Sequence, residues 1–228
     1  MYLEFMENLL RIEADAKHFL GVTDRSYEQP LMGELLTIIE EAEAVFGSRD
    51  RSYELLPPRI SECGCAHPHF YPSRKIRIYL GNSRNPCVVS HQLAHEAVHV
   101  LGPTQTWATR LEEGLAECFA HAYVKRVYGV EAQSPNRWYE AARLAVERLL
   151  AKNEFVIKEL RTRQPHISKI DEALLVEVAG IERDHAKYLC AYFDSSWHTP
   201  STWSEYSSQG AQLFVNGFRS MWDEWKSG

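Results

Sequence analysis

The sequence predicts an α+β fold, predominantly helical, with a small sheet beside one central helix and further helices at both ends. Three observations carry this. Apolar residues recur at helical spacing along most of the chain. One short stretch, Lys75 to Leu80, instead alternates apolar and polar with a strand's period of two. Proline or glycine marks the main breaks between these stretches, at Pro57-Pro58, Gly81, Gly102-Pro103, Gly129 and Pro165. At 228 residues the chain is expected to form a single domain over 1–228. Its parts are a helical 1–50, a sheet and paired helices over 51–130, and a helical 131–228.

Residues 2–20 read as an amphipathic helix on Leu3, Met6, Leu9, Leu10 and Phe19, and 30–46 as a second on Leu31, Leu35, Ile38, Ile39, Ala42 and Phe46. Glu40, Glu41 and Glu43 are expected on its solvated face. Pro57-Pro58 is expected to end regular structure. Cys63-Gly64-Cys65-Ala66-His67-Pro68-His69 offers two thiols and two imidazoles, but its spacing is no common zinc knuckle, and it reads as a plain loop. Lys75–Leu80 reads as a strand with Ile76, Ile78 and Leu80 facing a core. Beyond Gly129 the pattern predicts helices over 136–163, broken by Pro165, then 170–193 and 203–225.

The central helix is Ser90-His91-Gln92-Leu93-Ala94-His95-Glu96-Ala97-Val98-His99-Val100-Leu101, stopped by Gly102-Pro103. His95 and His99 stand one turn apart on one face, so their imidazoles can converge on a single metal ion. Glu96 can lean over the open side of that metal as a general base. Catalytic zinc usually takes three protein ligands. The next segment, Leu111-Glu112-Glu113-Gly114-Leu115-Ala116-Glu117-Cys118-Phe119, offers the third on a helix that Thr104 or Thr106 would cap. His91 falls on the same face as His95 and His99. A His91/His95 pair would leave Gln92 where the base belongs, so His91 reads as a supporting or surface residue, and His121 as packed or solvated.

Together the H-E-x-x-H at His95-Glu96-Ala97-Val98-His99 and the E-G-x-A-E at Glu113-Gly114-Leu115-Ala116-Glu117 resemble the gluzincin metallopeptidases of the broad "peptidase MA-like" group. The resemblance covers about thirty residues, from Gln92 to Phe119. It implies a zincin-like core, Zn2+ as cofactor with His95, His99 and Glu113 as ligands, Glu96 as general base, and Glu117 orienting a ligand histidine. Thirteen residues separate His99 from Glu113, fewer than in thermolysin and its aminopeptidase relatives, which leaves Glu112 and Glu117 as alternates. It also implies a peptide or protein substrate, with the strand at 75–80 bordering the cleft. For an oxyanion-holding residue the sequence offers His185, Tyr188 and Tyr139 without choosing among them.

Other readings are a catalytically silent or regulatory zincin-fold protein, and a di-iron carboxylate protein built on Glu96-x-x-His99. The latter needs a second E-x-x-H, and Glu117 and His121 are one residue too far apart to supply it. A net charge of −6 and a pI near 5.9 leave no footprint for nucleic acid. No apolar run approaches membrane-spanning length. The opening Met1-Tyr2-Leu3-Glu4-Phe5 lacks a signal peptide's basic start, and five cysteines suit a reducing compartment, so a cytoplasmic location is expected.

Overall fold

The structure is a computed structural model that describes residues 28–61, 66–81, 83, 85–104 and 106–193. The helices expected over 2–20 and 203–225 lie outside the described residues, as do Cys63 and Cys65. Within them the chain is mainly helical with one three-stranded sheet. Its helices are α1 (Glu28–Phe46), α2 (Pro86–Leu101), α3 (Arg110–Tyr128), α4 (Arg137–Leu150), α5 (Val156–Arg163), α6 (Glu172–Ala179) and α7 (Arg183–Cys190). The strands are β1 (Glu54–Ser61), β2 (His67–Tyr71) and β3 (Lys75–Gly81). No helix of the described residues is long and apolar enough to cross a membrane.

The sheet runs β1-β3-β2, with β1 parallel and β2 antiparallel to β3. The predicted strand is therefore the middle one, and Ile76, Ile78 and Leu80 are buried as its alternation requires. Two sequence expectations fail here. Pro57-Pro58 does not end structure but sits inside β1, where the register slips between Leu56 and Arg59. Proline has no N–H to give the ladder, so the strand bulges around the pair, and Arg77 Nη1 donates to the Pro57 carbonyl at 2.7 Å across the gap. His67-Pro68-His69, read as the end of a loop, lies in the strand β2: the His67 ring stacks on Tyr79 at 5.3 Å, and the His69 ring packs edge-on against Tyr71 at 4.4 Å.

α2 lies at the centre, packed on α1, on α3 and on the sheet. Asn85 caps it, its side chain accepting from the Cys87 N–H at 3.0 Å, with Pro86 in the first turn where no N–H is needed. It ends at Leu101 as expected, but Gly102 has an ordinary φ of −144°. The glycine serves packing instead. A Cβ there would lie 2.8 Å from the Pro165 carbonyl oxygen and 3.2 Å from His166 Cα.

Arg161 ties this end of the molecule together. Its guanidinium donates to the carbonyls of Phe46, Gly47, Ser48, Leu101 and Pro165, at 2.6 to 3.1 Å, so three chain segments close on one side chain. Buried apolar side chains from Leu31 to Leu189 form one contiguous core that takes in α1, β3 and all the later helices.

The later helices are shorter than their patterns suggest. The stretch 136–163 divides into α4 and α5, because Asn153 folds its side chain onto the Phe155 N–H at 3.0 Å and makes a turn. Phe155, in this turn, is half exposed. The stretch 170–193 divides at Gly180, whose φ of 58° ends α6. On α1, Glu40 is exposed as expected, but Glu41 is buried and paired with Arg126.

Candidate metal centre

α2 and α3 form an antiparallel hairpin, and His95, His99, Glu112, Glu113 and Glu117 meet between them. The second helix starts later than predicted. Thr109, not Thr104 or Thr106, is its cap, with Oγ1 facing the Glu112 N–H at 3.4 Å. Backbone bonds from Arg110 N to Ala191 O at 3.0 Å and from Phe193 N to Ala108 O at 2.8 Å pin this start to the end of α7. Glu113 therefore stands one turn into α3, roughly 6 Å along it, rather than two. Glu112 and Glu113 occupy the first turn, where the positive end of the helix dipole favours carboxylates.

His95, His99 and Glu113 come together as expected, each offering one ligand atom, all within 4.8 Å of one another. One oxygen of Glu113 lies 3.2 Å from His95 Nε2 and the other 3.6 Å from His99 Nε2. Ligands about 2.1 Å from a tetrahedral zinc stand about 3.4 Å apart, close to these two distances. The remaining ring nitrogens are both held by carboxylates. His95 Nδ1 lies 2.9 Å from Glu117 Oε1, and His99 Nδ1 lies 3.0 Å from Glu112 Oε1. Each Nδ1–H donates outward to its carboxylate, so that when Nε2 gives up its proton its lone pair is the one left for a metal. Glu117 thus lies against His95 Nδ1, where the resemblance implies a carboxylate that orients a ligand histidine. Glu112, an alternate third ligand by spacing, orients His99 instead.

The charges suit a cation. Burial works against the charged form of both rings, yet the carboxylates outweigh it: Glu113 and Glu117 hold His95 well above the ordinary histidine range, and Glu113 with Glu112 pushes His99 up to about 9. Glu113, against the same burial, is held below the usual carboxylate range by His99 and His95. Without a metal the trio is a buried imidazolium–carboxylate cluster. With one, the ion replaces the protons as counter-charge.

Glu96 sits next to this group on α2, 4% exposed, with Oε2 buried and without a hydrogen-bond partner. Burial raises its pKa, opposed by His95 and His99 and, from β2, by His67. A carboxylate with a raised pKa and a free lone pair is equipped to accept a proton. No family model matches the chain, and no curated protein or solved structure matches it either.

Of the three oxyanion candidates, only Tyr139 is near. Its ring lies 5.7 Å from the His95 ring, held in the first turn of α4, where Asn136 Oδ1 accepts from the Tyr139 N–H. His185 is buried and bonded through Nε2 to the Ala145 carbonyl at 2.9 Å, and Tyr188 lies under the Arg110 guanidinium at 4.2 Å. His91, read as a supporting or surface residue, and His121, read as packed or solvated, both approach the second oxygen of Glu117, at 3.8 and 3.3 Å. The sequence did carry a signal for the late start of α3. Thr109-Arg110-Leu111-Glu112 matches the S/T-x-x-E pattern that opens helices, although here the Glu112 side chain turns to His99.

Proposed function

We propose that this protein is a zinc-dependent hydrolase acting on a peptide bond, with His95, His99 and Glu113 as metal ligands and Glu96 as general base. The observation that carries the reading is the convergence of two Nε2 atoms and one carboxylate, with both Nδ1 atoms already anchored by Glu117 and Glu112. A zinc ion held there supplies Lewis acidity, polarising a carbonyl and making water acidic near neutral pH. Glu96 takes a proton from the attacking water and returns it to the leaving amine, so the carboxylate ends each cycle unchanged. Its raised pKa brings it closer to the pH at which both transfers run. Tyr139, whose ring lies beside His95, is the candidate we assign to holding the oxyanion.

The resemblance placed a substrate along the strand at 75–80, but β3 is paired on both sides. Among the described residues β2 is a sheet edge, and its His67 is near enough to Glu96 to influence its charge. An extended peptide would therefore add to β2.

The test is a comparison of wild type with Glu96→Gln after loading with zinc, using metal analysis and cleavage of a mixed fluorogenic peptide set. The expected result is unchanged zinc at the His95–His99–Glu113 group and hydrolysis reduced by about three orders of magnitude or more. Equal activity in the two proteins would overturn the assignment of the base. Loss of zinc in Glu96→Gln would make Glu96 a ligand.

A further inference from the structure

Glu117 has two oxygens, and only one is used by the site described above. Oε1 accepts from His95 Nδ1, while Oε2 is buried and has no hydrogen-bond partner. The Glu117 side chain is wholly buried. Half of a buried carboxylate thus depends on what faces it for compensation, where desolvation costs most. Two imidazoles face that oxygen. His91 Nε2, also buried and without a hydrogen-bond partner, lies 3.8 Å away, and His121 Nε2 lies 3.3 Å away. The two rings stand 5.4 Å apart at 61° to one another.

We infer that His91, Glu117 and His121 form a second site for a divalent transition-metal ion of the zinc class, independent of whether the first site hydrolyses anything. One ligand atom from each residue lies within 4.8 Å of the others, the spread also found for His95, His99 and Glu113. The donor set repeats too: two imidazole nitrogens and one carboxylate oxygen, a combination that suits zinc and its neighbours rather than magnesium or calcium. The repetition follows from the hairpin. His91 is one turn before His95 on α2, and His121 is one turn after Glu117 on α3. In antiparallel helices a step of four down one is met by a step of four up the other, so the second group is the next rung of the same ladder.

The side chains of His91 and His121 are 13% and 17% exposed, so an ion can reach them from solvent. At the rim, Ser134 Oγ lies 3.3 Å from His121 Nε2 and donates to Glu140 Oε2 at 3.0 Å. Ser134 must yield its contact with His121 when the ion binds, which, with the greater exposure, makes this the weaker of the two sites. An ion here ties α2 to α3. It also shares one carboxylate with His95, so its charge is felt at the first cluster through Glu117.

The test uses the full chain dialysed against excess zinc, with bound metal counted by mass spectrometry and thermal unfolding followed with and without zinc. Wild type is expected to hold about two equivalents. His121→Gln and His91→Gln, substitutions on different helices at partly exposed positions, should each hold about one, as should His99→Ala. The double variant His99→Ala/His121→Gln should hold none. Zinc should raise the melting temperature of His99→Ala but not that of the double variant. One equivalent in wild type that is lost with His99→Ala and kept by both His91→Gln and His121→Gln would overturn this inference and leave the first site standing. One equivalent lost with His121→Gln or His91→Gln but kept by His99→Ala would support the inference and remove the first site.

Discussion

Gly114 lies between Glu113 and Glu117, and the contacts around it give a physical reason for a glycine in that motif. α3 crosses α4 there so closely that an added Cβ would meet the Ala142 carbonyl oxygen at 2.4 Å, Val146 Cγ2 at 2.6 Å and the Ala142 carbonyl carbon at 2.8 Å. Two of those atoms are backbone, and the third belongs to a stiff, fully buried β-branched side chain. Restoring ordinary contact requires the helices to part by roughly 1 Å. Overpacking of this kind costs about 1–3 kcal/mol, and the better helix propensity of alanine returns only about 1. With backbone as the obstacle the upper part of that range applies, so Gly114→Ala should destabilise by about 2 kcal/mol net. For a chain of this size that lowers Tm by about 4–8 °C.

The same displacement moves Glu113 and Glu117 against α2, so zinc affinity should fall about tenfold or more. Gly33, inside α1 with nothing within 4 Å of an added Cβ, supplies the control. Gly33→Ala should raise Tm by about 2 °C and leave zinc binding alone. The assay is thermal unfolding of the metal-free proteins, followed by zinc titration against a chelator of known affinity. If Gly114→Ala melts at or above wild type and binds zinc equally well, the close approach of α3 and α4 is not what the glycine serves.

Three further outcomes follow from the same geometry. Arg161→Ala strands several backbone carbonyls at once and should cost at least about 3 kcal/mol in urea unfolding; a loss under about 1 kcal/mol would mean that water replaces the clamp. Burial raises Glu34 from 4.5 to about 7, opposed by its hydrogen bond from Ser90. The stability its neutral form contributes is complete below about pH 4.5 and lost as pH rises through 7, so Glu34→Gln should gain about 2 kcal/mol on wild type between pH 5 and pH 8. A pH-independent difference between the two proteins would contradict that. Glu112→Gln weakens the acceptor that orients His99 and should reduce zinc affinity about 10–100-fold by chelator competition, whereas unchanged affinity would show that the ring is held in some other way.

Much of the candidate site was legible because local periodicity decides it. His95 and His99 share a face whatever surrounds them, and Glu113 and Glu117 do the same on their own helix. Which residues meet across the hairpin was less legible, because that depends on where α3 begins. Its start at Thr109 is set by backbone bonds to Ala191 and Phe193, far away in sequence. Once the pairing of His99 with Glu113 is known, Glu117 opposite His95 and His121 near His91 follow. Glu112 could not be separated from Glu113 by spacing, since adjacent residues on a helix differ only in the direction they face.

The sheet was the least legible part. β3 alternates cleanly, but β1 carries Pro57-Pro58, and β2 is only five residues long with a proline inside it. Both strands exist because β3 offers partners on each side, which is a tertiary effect. The helix breaks at Asn153 and Gly180 were visible as residue types, yet the apolar spacing ran straight through them.

The central claim is that His95 Nε2, His99 Nε2 and the Glu113 carboxylate close around one cation. A crystal of the zinc-loaded protein, measured on both sides of the zinc absorption edge, addresses it directly. The account predicts an anomalous peak about 2 Å from all three groups, with Glu117 and Glu112 still on the two Nδ1 atoms. No peak at that position, or a peak there with the Glu113 side chain turned away, would contradict it.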